Sequence, residues 1–235
     1  GELVFTAFSG SHQDAINKGF IAMKASKSHT WEIPYIPMDP KDVGRSYDGI
    51  VRINSQSGKG GVAYILEREF GYRLPKPIHP EFGKVIQRIS DETGKEVLSK
   101  TIQDAFLSEY VKENGPIVLK RSSLQEEVGA DGVARTTIEA EVTIHGKKKI
   151  ISGEGNGPVD AFSRALRDNG VPTFTLLSYD EHALEVGADA HAITYIQIAD
   201  AKGKKFFGAG IDENIVRASL KALLSAINRS FNKRV

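Results

Sequence analysis

The amino-acid sequence predicts an α+β fold, in which mostly helical linker subdomains precede a domain of two pseudo-symmetric β-β-β-α type units. The first observation is an alternation of apolar and polar residues from 136 to 151, typical of half-buried strands, with turn-forming residues at 145–147. The second is a glycine-rich segment at 153–158, after which apolar residues recur at helical spacing. Pro158 suits the first position of that helix.

The third observation is that the same order returns nearer the C-terminus. Residues 193–198 are typical of a strand and residues 202–204 of a turn, and a second Gly-x-Gly step then leads into an apolar helical face. Two copies of one unit predict a small domain with pseudo-two-fold symmetry. We place this domain at 116–235, with the copies at about 116–170 and 171–235.

The glycine-rich segment is the candidate ligand site of this domain. Gly153, Gly155 and Gly157 let backbone N–H groups approach a ligand, and the N-terminus of the following helix favours an anion. Their spacing matches neither the dinucleotide fingerprint nor the P-loop, so a small carboxylate-bearing ligand is favoured over a nucleotide. A tight strand-to-helix turn that binds nothing explains the same residues.

Composition limits the class of protein. The chain has 235 residues, with 31 basic and 30 acidic side chains, which argues against a nucleic-acid-binding or membrane-binding surface. It contains no cysteine, which fits a reducing compartment, and no apolar run approaches the ~18 residues of a membrane span. We therefore expect a cytoplasmic protein. Because the sequence starts at Gly1 and not at Met, we expect a piece of a longer polypeptide.

Residues 1–48 are predicted to form a first subdomain with one helix and an extended arm. Ser9 or Ser11 can cap the helix, which places His12 in its first turn, where the helix dipole favours a neutral imidazole. Three prolines within residues 34–40 exclude a regular helix there and predict an extended arm. The apolar side chains of the arm suggest that it packs against a neighbouring domain or subunit.

Residues 49–115 are predicted to form a helical second subdomain, with helices at about 80–90 and 99–113. The glycines around Lys59 suggest either a phosphate contact or, more simply, the start of a helix. Asn114-Gly115-Pro116 ends the helical part and marks the domain boundary. The six histidines include no H-x-H or H-x-x-x-H pair, so a zinc site formed within this chain is not expected.

Four segments together match the pattern of one enzyme family. They are Ser9-Gly10-Ser11-His12-Gln13-Asp14, Pro34-Tyr35-Ile36-Pro37-Met38-Asp39-Pro40, Asn54-Ser55-Gln56-Ser57-Gly58-Lys59-Gly60-Gly61 and Gly155-Asn156-Gly157-Pro158. With these segments the chain resembles 2-isopropylmalate synthases, and the likeness covers nearly its whole length. It implies two linker subdomains and a C-terminal leucine-binding regulatory domain, with the family's N-terminal TIM barrel outside this sequence.

The resemblance implies an activity for the longer parent protein and none for this part alone. The parent is expected to be an acyltransferase that condenses acetyl-CoA with 3-methyl-2-oxobutanoate, the first committed step of leucine biosynthesis. A divalent metal ion (Zn, Mg or Mn) is expected in the barrel, and no metal in this chain. By resemblance, His12 and Tyr47 reach the partner subunit's barrel, where His12 would donate a hydrogen bond to the thioester oxygen with Tyr47 assisting.

The resemblance also implies a homodimer that binds L-leucine as a feedback inhibitor at the dimer interface. An effector leucine needs N–H donors for its carboxylate, acceptors for its ammonium group and an apolar cup for its side chain. The implied contacts are Gly155, Gly157, Pro158, Val159, Asp160, Tyr179, Ala183, Ala190 and Ile211. Asp160 departs from the small apolar residue expected at its position, and its carboxylate either binds the ammonium group or points away.

Two alternatives stay open on the sequence alone. One is the regulatory part of citramalate synthase, which uses pyruvate and acetyl-CoA and is inhibited by isoleucine. The other is a non-catalytic amino-acid-binding dimerisation module, in which the glycine-rich loop is only a turn. A preference for isoleucine would favour the first, and a melting temperature unchanged by leucine would favour the second.

Overall fold

A computed structural model describes residues 10–26, 30–45, 59–93, 97–113, 115–130, 132–185, 187 and 190–231. The chain divides into two compact units, residues 1–106 and 107–235. The subdomain boundaries at 48 and 115 remain predictions. None of the helices within the described ranges has both the length and the apolar character that a bilayer crossing requires.

The first helix, α1 (Gly10–Ser26), has the proline-rich arm folded back on it. Ile33 and Ile36 of the arm are buried against Ile16 of α1. The indole Nε1 of Trp31 donates a hydrogen bond to the carbonyl of Ile36 at 2.7 Å, which fixes the bend of the arm. The prediction that the apolar side chains of the arm pack on a neighbouring domain or subunit is wrong for these isoleucines, because α1 of the same unit supplies their apolar surface.

The arm ends in a short 3-10 helix (Pro40–Val43), whose start agrees with the sequence. The Asp39 carboxylate accepts a hydrogen bond from the backbone N–H of Lys41 at 2.9 Å, as an N-cap does. Gly44 closes the helix in the left-handed conformation, with φ 68°.

The described residues of the first unit form three further helices, α2 (Lys59–Phe70), α3 (His79–Thr93) and α4 (Ser99–Phe106), with a 3-10 turn at Lys76–Ile78. Lys59 is thus the first residue of a helix, which is the simpler of the two interpretations of its glycine-rich surroundings. The buried apolar side chains contributed by this part of the unit include Leu66, Ile78, Phe82, Ile86, Ile102 and Phe106. Helix α3 is longer at both ends than the predicted helix at 80–90.

The helix predicted at 99–113 changes character after Phe106. It continues directly as a π-helical turn (Leu107–Val111), in which the N–H of Lys112 donates to the carbonyl of Leu107 at 2.8 Å. This turn carries the Tyr110 side chain into full burial. Helical periodicity in a sequence does not distinguish an α-turn from a single π-turn, so tertiary contacts decide between them here.

The first β-β-β-α unit consists of β1 (Ile117–Val128), β2 (Ala134–Ile144), β3 (Lys147–Gly155) and α5 (Pro158–Asp168). Its strands form one antiparallel sheet in the order β1-β2-β3. The predicted turn between β2 and β3 is confirmed: His145 and Gly146 have φ values of 48° and 79°. Two positive φ angles are what a two-residue hairpin of type I′ requires.

The second unit repeats this plan with β4 (Phe174–Ala183), β5 (Ala192–Asp200), β6 (Lys205–Asp212) and α6 (Ile215–Phe231). Its sheet is also antiparallel, in the order β4-β5-β6. Gly203, with φ 78°, lies in the predicted turn between β5 and β6. The predicted α+β class and its pair of β-β-β-α units are therefore confirmed.

Both β-β-β-α units contribute to one apolar core between the sheets and their helices. Its buried members include Ile138, Val142, Phe162, Leu166, Ile196, Ile198, Leu220 and Leu223. The buried side chain of Asn228 on α6 donates to the carbonyl of Ile117 at 2.7 Å and accepts from the N–H of Ile117 at 3.0 Å. This pair of hydrogen bonds joins the last helix to the first strand.

Candidate functional site

The repeated Gly-x-Gly step lets each helix approach its own sheet. A Cβ atom on Gly153 would lie 2.4 Å from the carbonyl oxygen of Ala161 in α5, and one on Gly155 would lie 2.5 Å from the nitrogen of Ala161. In the second β-β-β-α unit, a Cβ atom on Gly208 would lie 2.2 Å from the backbone nitrogen of Ala226, and one on Gly210 would lie 2.0 Å from the carbonyl oxygen of Ala218. Side chains do not tolerate separations this short, so these glycines serve the packing of helix on strand. Gly155, predicted as an effector contact, is buried against α5.

Gly157 differs from the strand glycines because its side-chain position faces open space. A Cβ atom there would meet no atom within 4 Å, and its φ of 179° is extended backbone that any residue adopts. Pro158 and Val159 follow as the first residues of α5 and are half-buried. The loop therefore presents accessible backbone at a helix N-terminus, where an anion is stabilised by the helix dipole.

Asp160 fastens this loop to α5. Its carboxylate accepts a hydrogen bond from the backbone N–H of Asn156 at 3.1 Å and another from Nε of Arg164 at 3.2 Å. Burial acts to raise the pKa of Asp160, but these hydrogen bonds and the Arg164 charge hold it below its usual value. The carboxylate is therefore ionised at neutral pH and has its partners within its own loop and helix.

Three other predicted residues lie at one end of the second sheet. Ala183 ends β4, and Ile211, near the end of β6, pairs with Ile193 of β5. Ala190 lies just before β5, beside His191. These small or apolar side chains therefore share the end of the sheet from which α6 begins, and this end can supply part of an apolar cup.

The fourth, Tyr179, belongs to a polar cluster between β4 and α6. Its hydroxyl hydrogen-bonds to the Glu181 carboxylate and lies 2.8 Å from Oγ of Ser219. Burial, and after it the hydrogen bond to Glu181, raises the pKa of Tyr179, so the phenol stays protonated at neutral pH. Glu181 was not predicted from the sequence. Its position two residues beyond Tyr179, on the same face of one strand, is the signal that would have indicated it.

His12 and Tyr35 form a candidate catalytic pair in the first compact unit, residues 1–106. Their rings stack with centroids 4.1 Å apart and planes inclined by 28°. Tyr35 has a φ of 63°, an uncommon conformation for a bulky residue that is found where the surrounding structure enforces it. Both side chains are exposed. Tyr35 was not predicted as a site residue, and Tyr47, which was, lies outside the described residues.

The described residues of this chain offer no ligand set for a divalent metal ion. Among the described positions, no three His, Asp or Glu side chains converge as a metal-binding group. The metal that the resemblance implies for the parent protein therefore enters no step derived for this chain. The predicted site residues that the structure describes instead form four groups: the loop before α5, the α6 end of the second sheet, the polar cluster of Tyr179 between β4 and α6, and the first turn of α1.

These features define a class of protein: a duplicated β-β-β-α domain that follows a helical unit. Comparison with known proteins gives its family. Residues 96–231 match the family model described as LeuA allosteric (dimerisation) domain, and residues 2–67 match that described as alpha-isopropylmalate synthase, post-catalytic domain-like. The chain belongs to the LeuA allosteric (dimerisation) domain family.

Individual relatives agree with this assignment and confirm the resemblance predicted from the sequence. The chain is 49% identical over 231 residues to a 2-isopropylmalate synthase of Clostridium acetobutylicum, covering 98% of this chain and 41% of that protein. It is 47% identical to one of Parafrankia sp., with 98% and 40% covered, and 48% identical to one of Mesorhizobium japonicum, with 100% and 42% covered. The chain thus spans about two fifths of the length of these relatives.

Proposed function

We propose that this chain is the leucine-binding, dimer-forming regulatory part of a 2-isopropylmalate synthase, which condenses acetyl-CoA with 3-methyl-2-oxobutanoate. The observation that carries the proposal is the match of residues 96–231 to the LeuA allosteric domain. The accessible loop at the start of α5 supports the same proposal, since its backbone can receive a carboxylate. The expected location is the cytoplasm.

The effector site is built from the groups that lie in the second compact unit, residues 107–235: the loop before α5, the α6 end of the second sheet, and the polar cluster of Tyr179 and Glu181. The open backbone around Gly157 receives the leucine carboxylate, and the exposed Glu181 carboxylate beside Tyr179 is an acceptor for the ammonium group. Val159 and Ile211 contribute to an apolar cup for the isobutyl side chain. Because the family domain is a dimerisation domain, we assign the closure of this site to a second copy of the chain.

The first compact unit, residues 1–106, contributes side chains to the catalytic centre of the parent protein. His12 donates a hydrogen bond to the thioester oxygen of acetyl-CoA as enolate charge develops there, and Tyr35 holds the imidazole by stacking on it. Tyr47 keeps its predicted assisting role. Since the reacting groups belong to the barrel, this chain alone is expected to have no turnover.

Leucine is favoured over isoleucine as the effector. The relatives compared above, at 47% to 49% identity, are 2-isopropylmalate synthases, whose product leads to leucine. An inhibitor that is the end product of the same pathway is the expected partner of such a domain. Stronger inhibition by isoleucine than by leucine would shift the proposal to citramalate synthase.

A pair of substitutions in the full-length synthase containing this chain tests the division of labour. Gly157→Asp should fold, since a side chain at this position meets open space, but its negative charge repels the leucine carboxylate. We expect inhibition by leucine to weaken by about tenfold or more, with turnover in the absence of leucine within about twofold of wild type. Gly157→Ala, which adds no charge, is the matched control and should stay inhibited.

His12→Ala should have the opposite effect. Turnover is expected to fall by about 100-fold, the usual loss when one donor to a developing oxyanion is removed, while the calorimetric affinity for leucine stays unchanged. Steady-state kinetics with and without leucine measure both variants. If each substitution changed only the melting temperature, neither residue would have the role proposed for it.

A further inference from the structure

The boundary between the two compact units lies inside one unbroken helical segment. Helix α4 ends at Phe106, and the π-turn begins at Leu107 without an intervening loop. Phe106 is fully buried, and the rings of Tyr72 and Phe82 lie 5.5 and 5.7 Å from its ring. The end of this segment that belongs to the first unit is therefore fixed in an aromatic core and cannot rotate independently of it.

The π-turn is held by contacts from α6. The Arg229 guanidinium donates to the carbonyl of Phe207 at 2.6 Å and to the Glu109 carboxylate at 2.8 Å, and it lies 4.3 Å from the ring centroid of Tyr110. Ser225 Oγ donates to the carbonyl of Tyr110 at 2.5 Å. One arginine thus joins the π-turn to β6 and α6 together.

A second connection runs through Lys221 of α6. Its ammonium group lies 3.0 Å from the carboxylate of Glu113, just beyond the π-turn, and 3.1 Å from the carboxylate of Asp212. Asp212 also accepts from the backbone N–H of Asn214 at 3.0 Å, which shapes the loop between β6 and α6. Asp212 directly follows Ile211, a residue of the proposed apolar cup.

The pair of Lys221 with Asp212 is better protected than an ordinary surface ion pair. The side chains of Lys221 and Asp212 are only 23% and 16% exposed, whereas that of Glu113 is 44% exposed. Burial acts to lower the pKa of Lys221, but the two carboxylates raise it above its usual value, so the amine stays charged. A partly buried cation between two carboxylates responds strongly to the displacement of either one, because solvent screens it weakly.

We propose that Lys221 is a positioning residue that couples the β6–α6 loop to the segment formed by α4 and the π-turn. Resting on the proposed function, this gives leucine bound beside Ile211 a physical route toward the first unit. Movement of Asp212 on leucine binding shifts Lys221 and with it Glu113, and the π-turn passes that shift to α4. A single π-turn is a frequent feature of functional sites.

The test uses the full-length synthase with Lys221→Met, which keeps the length of the side chain and removes its charge. We expect the calorimetric affinity for leucine and the uninhibited kcat and KM to stay within about threefold of wild type. The effect of bound leucine on turnover should fall by at least about fivefold, the low end of usual allosteric couplings. Lys221→Arg, which restores the charge, should recover inhibition, and Lys202→Met in the exposed β5–β6 turn is the matched control.

Full inhibition of Lys221→Met by leucine would overturn the inference while leaving the proposed function intact. Loss of leucine affinity in that variant would also overturn it, since Lys221 would then act in binding. A wild-type synthase that neither binds leucine nor is inhibited by it would defeat the proposed function itself. If Lys221→Met fails to fold, hydrogen exchange of the wild-type amides at 107–112 decides: a change in protection on adding leucine supports the route, and no change contradicts it.

Discussion

Tyr35 has a backbone conformation that bulky residues adopt least readily, with φ 63°, and the contacts on either side of it explain why it persists. Ile33 and Ile36 are buried against α1, and Trp31 holds the carbonyl of Ile36. These anchors leave Tyr35 at the apex of the bend, with its ring on His12. The strained bend therefore places the Tyr35 ring against the imidazole of His12.

Removing the Tyr35 ring should impair His12 without affecting the regulatory half. In the full-length synthase, Tyr35→Ala should lower kcat by about tenfold, since small misplacements of a catalytic group are costly, with a smaller change in KM. Tyr35→Phe keeps the stacked ring and should stay within about threefold of wild type.

A double-mutant cycle of Tyr35→Ala and His12→Ala tests whether Tyr35 acts through His12. If Tyr35 acts through His12, Tyr35→Ala should cause no further loss in the His12→Ala background. Multiplicative losses in the double variant would show that the two side chains act independently, and stacking would then have no part in catalysis.

At the scale of elements, the main finding is that two helices lie directly on strand glycines. The Cβ separations of 2.4 Å at Gly153 and 2.2 Å at Gly208 leave no room for a methyl group against helix backbone. The two units use this device at equivalent places, which explains why the Gly-x-Gly step repeats along the chain. Gly157, with open space at its side-chain position, is the member of the first glycine cluster free for another role.

Alanine substitutions at two glycines should therefore separate packing from binding. Gly153→Ala is expected to lower the free energy of unfolding by about 2 kcal/mol or more, because overpacking forces backbone shifts. Gly157→Ala should change it by less than about 0.5 kcal/mol, as substitutions at open positions usually do. Denaturant unfolding of both variants measures the difference, and equal losses would contradict the assigned roles.

Local sequence patterns predicted much of this architecture. Alternation between 136 and 151 indicated β2 and β3, and Gly146 and Gly203 marked the hairpins because only particular residues tolerate positive φ. The π-turn at 107–111 was not predictable, since it depends on contacts from α6 more than a hundred residues later in the chain. Element boundaries therefore follow local chemistry wherever a turn residue fixes them and fail where tertiary contacts decide.

The candidate site was only partly predictable for the same reason. A glycine can admit a ligand or a neighbouring helix, and the spacing of Gly153, Gly155 and Gly157 does not say which. Tyr35 and Glu181 escaped prediction because their roles arise from a ring contact with His12 and a hydrogen bond with Tyr179. The contact of Tyr35 with His12 becomes visible only when the chain is folded, whereas the two-residue spacing of Tyr179 and Glu181 on one strand was a sequence signal.

For the molecule as a whole, the two compact units have different proposed tasks: the first assists catalysis, and the second senses the end product. Residues 96–231, which match the LeuA allosteric domain, include the whole of α4 as well as both β-β-β-α units. The family match thus extends across the unit boundary at 106/107. A shared segment at that boundary is consistent with a regulatory signal that travels along the chain.

The central claim is that the second compact unit, residues 107–235, binds leucine. Isothermal titration calorimetry of this 235-residue chain tests it directly. We expect saturable binding of L-leucine, none of D-leucine, and a melting temperature that rises with L-leucine concentration. At about 100-fold over the dissociation constant, the ligand should add about 2.7 kcal/mol to the free energy of unfolding. No heat with L-leucine, together with an unchanged melting temperature at saturating concentration, would contradict the claim.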